Sequence, residues 1–205
     1  MRPLDDLLKE GLESGQIGIP VEPHGEHAMG FFSFLDQTET LTNTHVIDLG
    51  SGVGLPGLVL ADRYPESHWT LIERRGGRAT LLRRAVRRLQ LSERVRVACT
   101  DATTASHGPL RGSADYVVAR SFGPPGDVAE CATGLLVEGG SLVVSEPPGA
   151  MTSLTDRWPT GGLETCGLLL AERWETTAGS YVRLERTTTD IGDLPRRGSR
   201  RQLLF

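Results

Sequence analysis

The sequence predicts an α/β fold with a doubly wound, mostly parallel sheet, an N-terminal helical cap and a C-terminal antiparallel hairpin. Short apolar runs alternate with helical patterns, a glycine-rich turn follows the first run, and polar residues follow the end of each run. Ligands of such sheets bind outside the carboxyl ends of the strands. We therefore expect the 205 residues to form one domain, with the cap in 1–44, a ligand-binding core in 45–188 and a tail in 189–205.

The cap is predicted from two helical patterns that precede the first strand. Leucines recur at helical spacing in the first dozen residues, at Leu4, Leu7, Leu8 and Leu12. Residues 15–25 contain helix breakers and predict a loop, and residues 27–41 predict a second helix with phenylalanine bulk. His24 and His27 have a spacing that can suit a metal, but no third ligand is near in sequence. Packing or surface roles are therefore expected, and no metal site is predicted.

The first strand, residues 46–49, runs into a glycine turn at 50–54 and a helix from about residue 55, where Pro56 is tolerated near the start. Leu55 stands where the dinucleotide fingerprint requires its third glycine. The D-x-G-x-G-x-G pattern resembles instead the cofactor loop of class I (Rossmann-like) S-adenosylmethionine-dependent methyltransferases. A tight turn without a ligand is the alternative. The predicted cofactor-binding residues of this stretch are Asp48, Gly50, Ser51, Gly52, Gly54 and Leu55.

The next two strands end in polar residues suited to a nucleoside. Glu73 ends the second strand 23 residues after Gly50, near the position of a ribose-binding acid in nucleotide folds. A carboxylate there accepts hydrogen bonds from a ribose diol; a surface glutamate at a strand end is the alternative. The third strand, 95–99, leads to a turn that passes the adenine in this fold. Its predicted cofactor-binding residues are Asp101, Ala102 and Thr103.

Two further strands complete the parallel part of the predicted sheet. Residues 114–119 lead to Arg120 and Ser121, and residues 140–145 lead to Glu146. Arg120 is expected to position cofactor or substrate, with a structural ion pair as the alternative. Other segments are predicted as helices at 78–90 and 128–137, irregular connections at 103–113 and 147–162, and a hairpin of 166–174 with 180–186.

Charge and composition limit the possible partners. The formal net charge of −4 and the pI of about 5.8 exclude a globally basic surface, so nucleic-acid binding would need a local patch. The densest basic segment, 74–88, contains seven arginines, which predict either a solvated helix face or RNA phosphate contacts. The sequence shows neither a signal peptide nor an apolar run long enough to span a membrane, so a cytoplasmic protein is expected.

Three motifs together resemble one known family. They are the D-x-G-[ST]-G-x-G-L-P-G pattern at 48–57, the Ala-Arg-Ser-Phe sequence at 119–122 and the basic, leucine-tipped tail that begins at Pro195. The chain is similar to the bacterial 16S ribosomal RNA guanine-N7 methyltransferases, the glucose-inhibited division protein B family (RsmG/GidB). This resemblance covers roughly residue 26 to the C-terminus.

The resemblance implies S-adenosylmethionine as cofactor and ribosomal RNA as partner. Guanine N7 carries a free lone pair, so the reaction needs no general base. The candidate substrate-binding residues are Ser121, Glu146, Arg197 and Arg200. The family has a Lys-Gly pair after the fifth strand, where this chain has Glu146, and an acidic pair where it has Thr103 and Thr104. A methyltransferase of a small molecule or peptide, or a cofactor-binding module without catalysis, therefore stays open.

Overall fold

The computed structural model describes residues 6, 21–35, 41–148, 157–196 and 204–205, with the backbone alone at 21–23. The predicted helix of the first dozen residues lies outside this part of the chain, apart from Asp6. Arg197 and Arg200 of the predicted substrate-binding tail also lie outside the described residues.

A seven-stranded sheet of order β3-β2-β1-β4-β5-β7-β6 forms the centre of the molecule. The pairs among the first five strands are parallel, and β7 is antiparallel to both β5 and β6. The predicted mostly parallel sheet with an antiparallel hairpin is thus confirmed. The strands are β1 (His45–Leu49), β2 (His68–Ile72), β3 (Val95–Ala98), β4 (Ala114–Ala119), β5 (Leu136–Glu146), β6 (Leu168–Thr176) and β7 (Gly179–Arg186).

Helices cover both faces of this sheet. The described helices are α1 (Val21–Gly30), α2 (Gly57–Arg63), α3 (Gly76–Arg88), α4 (Ala102–His107), α5 (Pro125–Leu135) and α6 (Thr160–Thr165). Neighbouring strand residues point to opposite faces, so Val118 packs in the cluster with α1, α2 and α3, whereas Val117 packs in the cluster with α4, α5 and α6. This alternation confirms the doubly wound arrangement.

Several predicted boundaries differ from the structure. The second cap helix, predicted at 27–41, is α1, because Pro23 falls in its first turn, where proline is tolerated. The predicted loop 103–113 contains α4, since the Asp101 side chain caps the start of that helix. The helix predicted at 128–137 is α5 and ends at Leu135, and the strand predicted at 140–145 begins earlier, at Leu136. The connection predicted at 147–162 includes the start of α6.

The helix α1 is attached to the hairpin by two aromatic side chains. The Tyr181 hydroxyl donates to the His27 carbonyl at 2.7 Å, and the Trp174 indole N–H donates to the Gly30 carbonyl at 2.8 Å. Tyr181 is fully buried, and its ring packs edge-on against Phe31. These contacts place α1 beside the carboxyl end of β4. In the part of the chain that the structure describes, no helix combines the length and apolar character needed to cross a membrane.

Candidate cofactor and acceptor cavities

Two cavities lie side by side at the carboxyl ends of the parallel strands. The first, of about 430 Å³, is lined by five predicted cofactor residues: Gly50, Glu73, Asp101, Ala102 and Thr103. The second, of about 480 Å³, is lined by Arg120 and Glu146 among others. The segment 121–123 lines both cavities, so it forms the wall between them. We name them the first and the second cavity below.

The glycine turn provides the floor of the first cavity. Gly50 has a φ of +75°, a left-handed conformation that side chains rarely adopt. A Cβ at this position would stand 2.6 Å from the Phe122 ring, which belongs to the wall between the two cavities. Gly50 is therefore required both by its backbone conformation and by the close approach of Phe122.

The rest of the glycine motif supports the turn from below. Asp48 is 1% exposed, and its carboxylate accepts the Gly57 N–H at 3.0 Å at the start of α2. The Ser51 hydroxyl donates to the Asp48 carbonyl at 2.9 Å, and Leu55 is buried in the core. Burial raises the pKa of Asp48 to about 7. The structure thus places Asp48, Ser51 and Leu55 beneath the turn, where they hold its shape.

Glu73 is held in position from two sides at the edge of the first cavity. It is 5% exposed, and its two carboxylate oxygens accept the Gly52 N–H at 3.1 Å and the Arg75 N–H at 2.7 Å. A carboxylate offers about four acceptor positions, so each oxygen can accept a further hydrogen bond. Glu73 therefore joins the turns after β1 and β2 and can still bind a ligand hydroxyl.

The opposite edge of the first cavity is formed by the start of α4. The Asp101 carboxylate accepts the Thr103 N–H at 2.9 Å, which orients the turn between β3 and this helix. Three arginines of the basic segment, Arg74, Arg75 and Arg78, also line this cavity. Sequence reasoning assigned them only to a helix face or RNA. Their position in the sequence, directly after Glu73, could have indicated that they line the same cavity.

In the second cavity, Arg120 and His27 carry polar atoms without a partner among the described residues. Arg120 Nη2 lies 2.9 Å from His24 Nδ1, whereas its Nη1 is buried and unpaired, as is His27 Nδ1. Burial, with repulsion from Arg120 and His24, lowers the pKa of His27 to about 4, so this ring is neutral at pH 7. Burial also lowers the pKa of Arg120, opposed by Tyr181 and Asp48. Both residues line the second cavity and keep hydrogen-bonding capacity that no described residue uses.

Glu146 also belongs to the second cavity, but its carboxylate is occupied. The side chain is 0% exposed and accepts Arg157 Nε at 2.5 Å and the Trp158 indole N–H at 2.8 Å. Glu146 therefore presents no unpaired negative charge to a ligand, because Arg157 compensates it. Sequence reasoning missed Arg157 and Trp158, because both lie 11 or more residues after Glu146 in a segment predicted as irregular.

The beginning of the basic tail is fixed to α5. Arg196 donates from its backbone N–H and its guanidinium to the buried carboxylate of Glu130, at 2.9 Å and 2.6 Å. The ring of Phe205 packs edge-on against Trp158 at 6.1 Å. The described chain on either side of 197–203 is thus bound to the core.

Comparison of the sequence with known proteins gives a consistent result. The model of the GidB family, described as rRNA small subunit methyltransferase G, matches residues 27–146. A ribosomal RNA small subunit methyltransferase G from Salinispora tropica is 37% identical over 157 residues, which cover 73% of this chain and 63% of the relative. The protein of that name from Kineococcus radiotolerans is 42% identical over 67% of this chain and 53% of its own length. The chain thus spans between about half and two thirds of these relatives.

Solved structures show the same fold at low sequence identity. A Corynebacterium glutamicum protein superposes with a TM-score of 0.62 at 16% identity and covers 92% of this chain and 91% of its own. The geranyl diphosphate C-methyltransferase of Streptomyces coelicolor, solved with S-adenosyl-L-homocysteine, has a TM-score of 0.59 at 12% identity and covers 79% of each chain. Because the family model matches more than half of the residues, the chain belongs to the GidB family of rRNA small subunit methyltransferase G proteins.

Proposed function

We propose that the protein is a cytoplasmic S-adenosylmethionine-dependent methyltransferase that modifies guanine N7 in 16S ribosomal RNA. Membership of the GidB family supports the reaction and the substrate class. The observation that carries the proposal is the pair of adjacent cavities that share the wall 121–123. Methyl transfer needs two molecules held side by side, and this arrangement provides a place for each.

The residues of the first cavity fit S-adenosylmethionine. Gly50 lets the turn approach the Phe122 ring, which a Cβ would prevent, and the buried Glu73 carboxylate retains acceptor positions for two ribose hydroxyls. The turn 101–103 would contact the adenine. When bound, S-adenosylmethionine supplies an electrophilic methyl group carried by a sulfonium.

The residues of the second cavity would orient the acceptor. Guanine N7 needs no deprotonation, so no residue has to act as general base. The Arg120 guanidinium, whose Nη1 has no partner among the described residues, can donate to a carbonyl oxygen of the base. His27 is neutral at pH 7 and therefore does not repel the positively charged sulfonium. Phe122 offers an aromatic surface at the wall between the cavities. The contribution of the protein is therefore orientation and exclusion of water.

The arginines of α3 would supply the RNA contact. Arg84 and Arg87 are exposed on this helix, and the chain has no acidic residue between Glu73 and Glu93. Arginine pairs well with phosphate oxygens, and such contacts position RNA without reading its sequence. A local basic surface of this kind permits RNA binding despite the net charge of −4.

A methyltransferase of a small molecule or peptide is the second candidate. The second cavity, of about 480 Å³, is in the size range of small-ligand pockets, which favours this alternative. The two candidates differ in RNA binding. Only the first requires the protein to bind RNA, with an affinity that falls as the salt concentration rises.

Transfer of a radiolabelled methyl group to separate RNA, protein and metabolite fractions tests the proposal. We expect label in 16S ribosomal RNA and, after nuclease digestion, in 7-methylguanosine. Label in the metabolite or protein fraction with none in RNA would replace the first candidate by the second. Binding of S-adenosyl-L-homocysteine without label in any fraction would indicate a module without catalysis.

A further inference from the structure

The charges of the second cavity are arranged by depth. Arg120 Nη1 is fully buried, whereas the Arg157 side chain is 32% exposed at the rim. The Glu146 carboxylate lies under Arg157 with no exposed surface. A ligand entering the cavity therefore meets Arg157 before it reaches Arg120 and is shielded from direct contact with the carboxylate.

We propose that Arg157 binds a backbone phosphate of the nucleotide that enters the second cavity, and that Glu146 positions Arg157 for this contact. This inference rests on the proposed function, because it takes RNA as the substrate. It also reassigns Glu146, which acts through Arg157 and does not itself contact the substrate.

The hydrogen bonds leave Arg157 able to bind an anion. Among the described residues, Glu146 takes only its Nε, and a guanidinium has four further N–H donors. The remaining edge carries two nitrogens in the fork geometry that matches phosphate oxygens. The negative charge of Glu146 balances the positive charge of Arg157, and Arg120 adds a second positive charge. The cavity therefore still favours an anionic ligand.

Neighbouring residues hold Arg157 at this position before any ligand binds. Trp158 is 2% exposed, donates its indole N–H to the same carboxylate and packs against Phe205. Arg157 is thus anchored through its own Nε and through the adjacent residue. A side chain already ordered in this way loses less conformational entropy on binding.

The two parts of a nucleotide match the two ends of the second cavity, which is buried at Arg120 and exposed at Arg157. Its flat base suits the inner part of the cavity, where Phe122, Val128 and Val144 provide apolar surface beside Arg120. Its phosphate must remain near water, as Arg157 does. One nucleotide can therefore place its base near the wall shared with the first cavity and its phosphate at the rim.

The test measures methylation of 16S ribosomal RNA by Arg157→Ala as a function of RNA concentration and salt, with Arg96→Ala as the control. Arg96 is an exposed arginine on the edge strand β3, away from both cavities. We expect Arg157→Ala to raise KM for RNA with kcat nearly unchanged and to lower the salt slope of RNA binding by about one. Between 50 and 200 mM salt, its affinity would then fall about fourfold less than that of the wild type.

A second variant separates this effect from damage to the fold. Arg157→Ala leaves a buried carboxylate unpaired, which is destabilising, whereas Arg157→Ala with Glu146→Gln removes both charges. The double variant should show the same reduced salt slope with normal affinity for S-adenosyl-L-homocysteine. Glu146→Gln alone should raise KM for RNA less than Arg157→Ala does, and adding it to Arg157→Ala should raise KM no further.

The outcomes distinguish the inference from the proposed function. An active wild type whose salt slope and KM are unchanged by Arg157→Ala would overturn the inference and leave the proposed function intact. A wild type that binds S-adenosyl-L-homocysteine but methylates no RNA would overturn both. A Glu146→Gln effect that persists in full without Arg157 would show that the carboxylate contacts the substrate directly, and would also overturn the inference.

Discussion

The two cavities differ in how the chain builds them. The first is made mainly from residues that directly follow β1, β2 and β3, within short stretches around Gly50, Glu73 and Asp101. The second brings together α1, the ends of β4 and β5 and the segment before α6, so that His24 and Arg157 line one space. Local sequence motifs therefore specify the first cavity, whereas the second cavity depends on packing between distant parts of the chain.

The cavities also differ in how their polar groups are satisfied. Asp48 and Glu73, below and beside the first cavity, accept backbone N–H groups of the same turns. In the second cavity, Arg120 and His27 each keep a buried nitrogen without a partner among the described residues. Since unsatisfied buried polar groups are unfavourable, a ligand that pairs with them gains binding energy. Asp48 and Glu73 are thus satisfied within the protein, whereas Arg120 and His27 keep hydrogen-bonding capacity that the described residues do not use.

The largest expected effect is loss of cofactor binding in Gly50→Val. A β-branched residue at a φ of +75° is strained, and its Cβ would collide with Phe122. We expect affinity for S-adenosyl-L-homocysteine to fall at least about 100-fold, equivalent to about 3 kcal/mol, by calorimetry. Gly161→Val is the control, because Gly161 faces open space without a left-handed φ. Equal affinities in all three proteins would place the cofactor elsewhere.

Glu73→Gln should have the next largest effect. The amide keeps the size of the side chain but loses the negative charge that two ribose hydroxyls would bind. Hydrogen bonds to charged groups contribute about 1.5–3 kcal/mol, so affinity for S-adenosyl-L-homocysteine should fall about tenfold to a hundredfold. The exposed Glu93→Gln should leave it unchanged. A normal affinity in Glu73→Gln would assign Glu73 to holding the two turns together.

Asp48 should make stability depend on pH. Its folded-state pKa is raised from 3.8 to about 7, so the folded protein holds a proton that the unfolded chain has lost. Stability from this group is fully present below pH 3.8 and is lost as pH rises towards 7, by at most about 1.4 kcal/mol per pH unit. Urea unfolding between pH 4.5 and 7 should show a flatter dependence in Asp48→Asn. Parallel curves for both proteins would contradict the buried acid as the cause.

The smallest expected effects concern single arginines of α3, so two are changed together. Arg84→Ala with Arg87→Ala should lower the salt slope of RNA binding by about two and leave affinity for S-adenosyl-L-homocysteine unchanged. Lysine at both positions should retain most of the slope, because the charge is kept. If the alanine variant binds RNA like the wild type at every salt concentration, this helix face is solvated surface, and Arg197 and Arg200 become the residues to change next.

Together these variants sharpen the contrast between the cavities. Changes at Gly50 and Glu73 should alter cofactor affinity and leave the salt slope of RNA binding unchanged. Changes at Arg84 and Arg87 on α3 should lower the salt slope of RNA binding and leave cofactor affinity unchanged. A variant of the first group that altered the salt slope would show that the two cavities do not bind independently.

Much of the sheet and of the first cavity could be predicted because the sequence signals for them are local. Alternating apolar runs predicted the five parallel strands, and the lack of a long connection between residues 174 and 180 predicted the hairpin. The helix α4 was missed because its residues, Ala-Thr-Thr-Ala-Ser-His, have weak apolar periodicity, and its cap at Asp101 is the main signal. The α1 boundary was displaced because Pro23 was interpreted as a breaker.

The sequence by itself determined the parallel sheet, the glycine turn at Gly50 and the carboxylate at the end of β2, because each depends on residues within one strand–turn–helix unit. Only the tertiary structure decided that Asp48 supports the turn from below, that Arg120 faces the second cavity and that Arg157 lies over Glu146. The physical reason is that burial and ion pairing join residues far apart in the chain, and no local pattern records which carboxylate an arginine will meet.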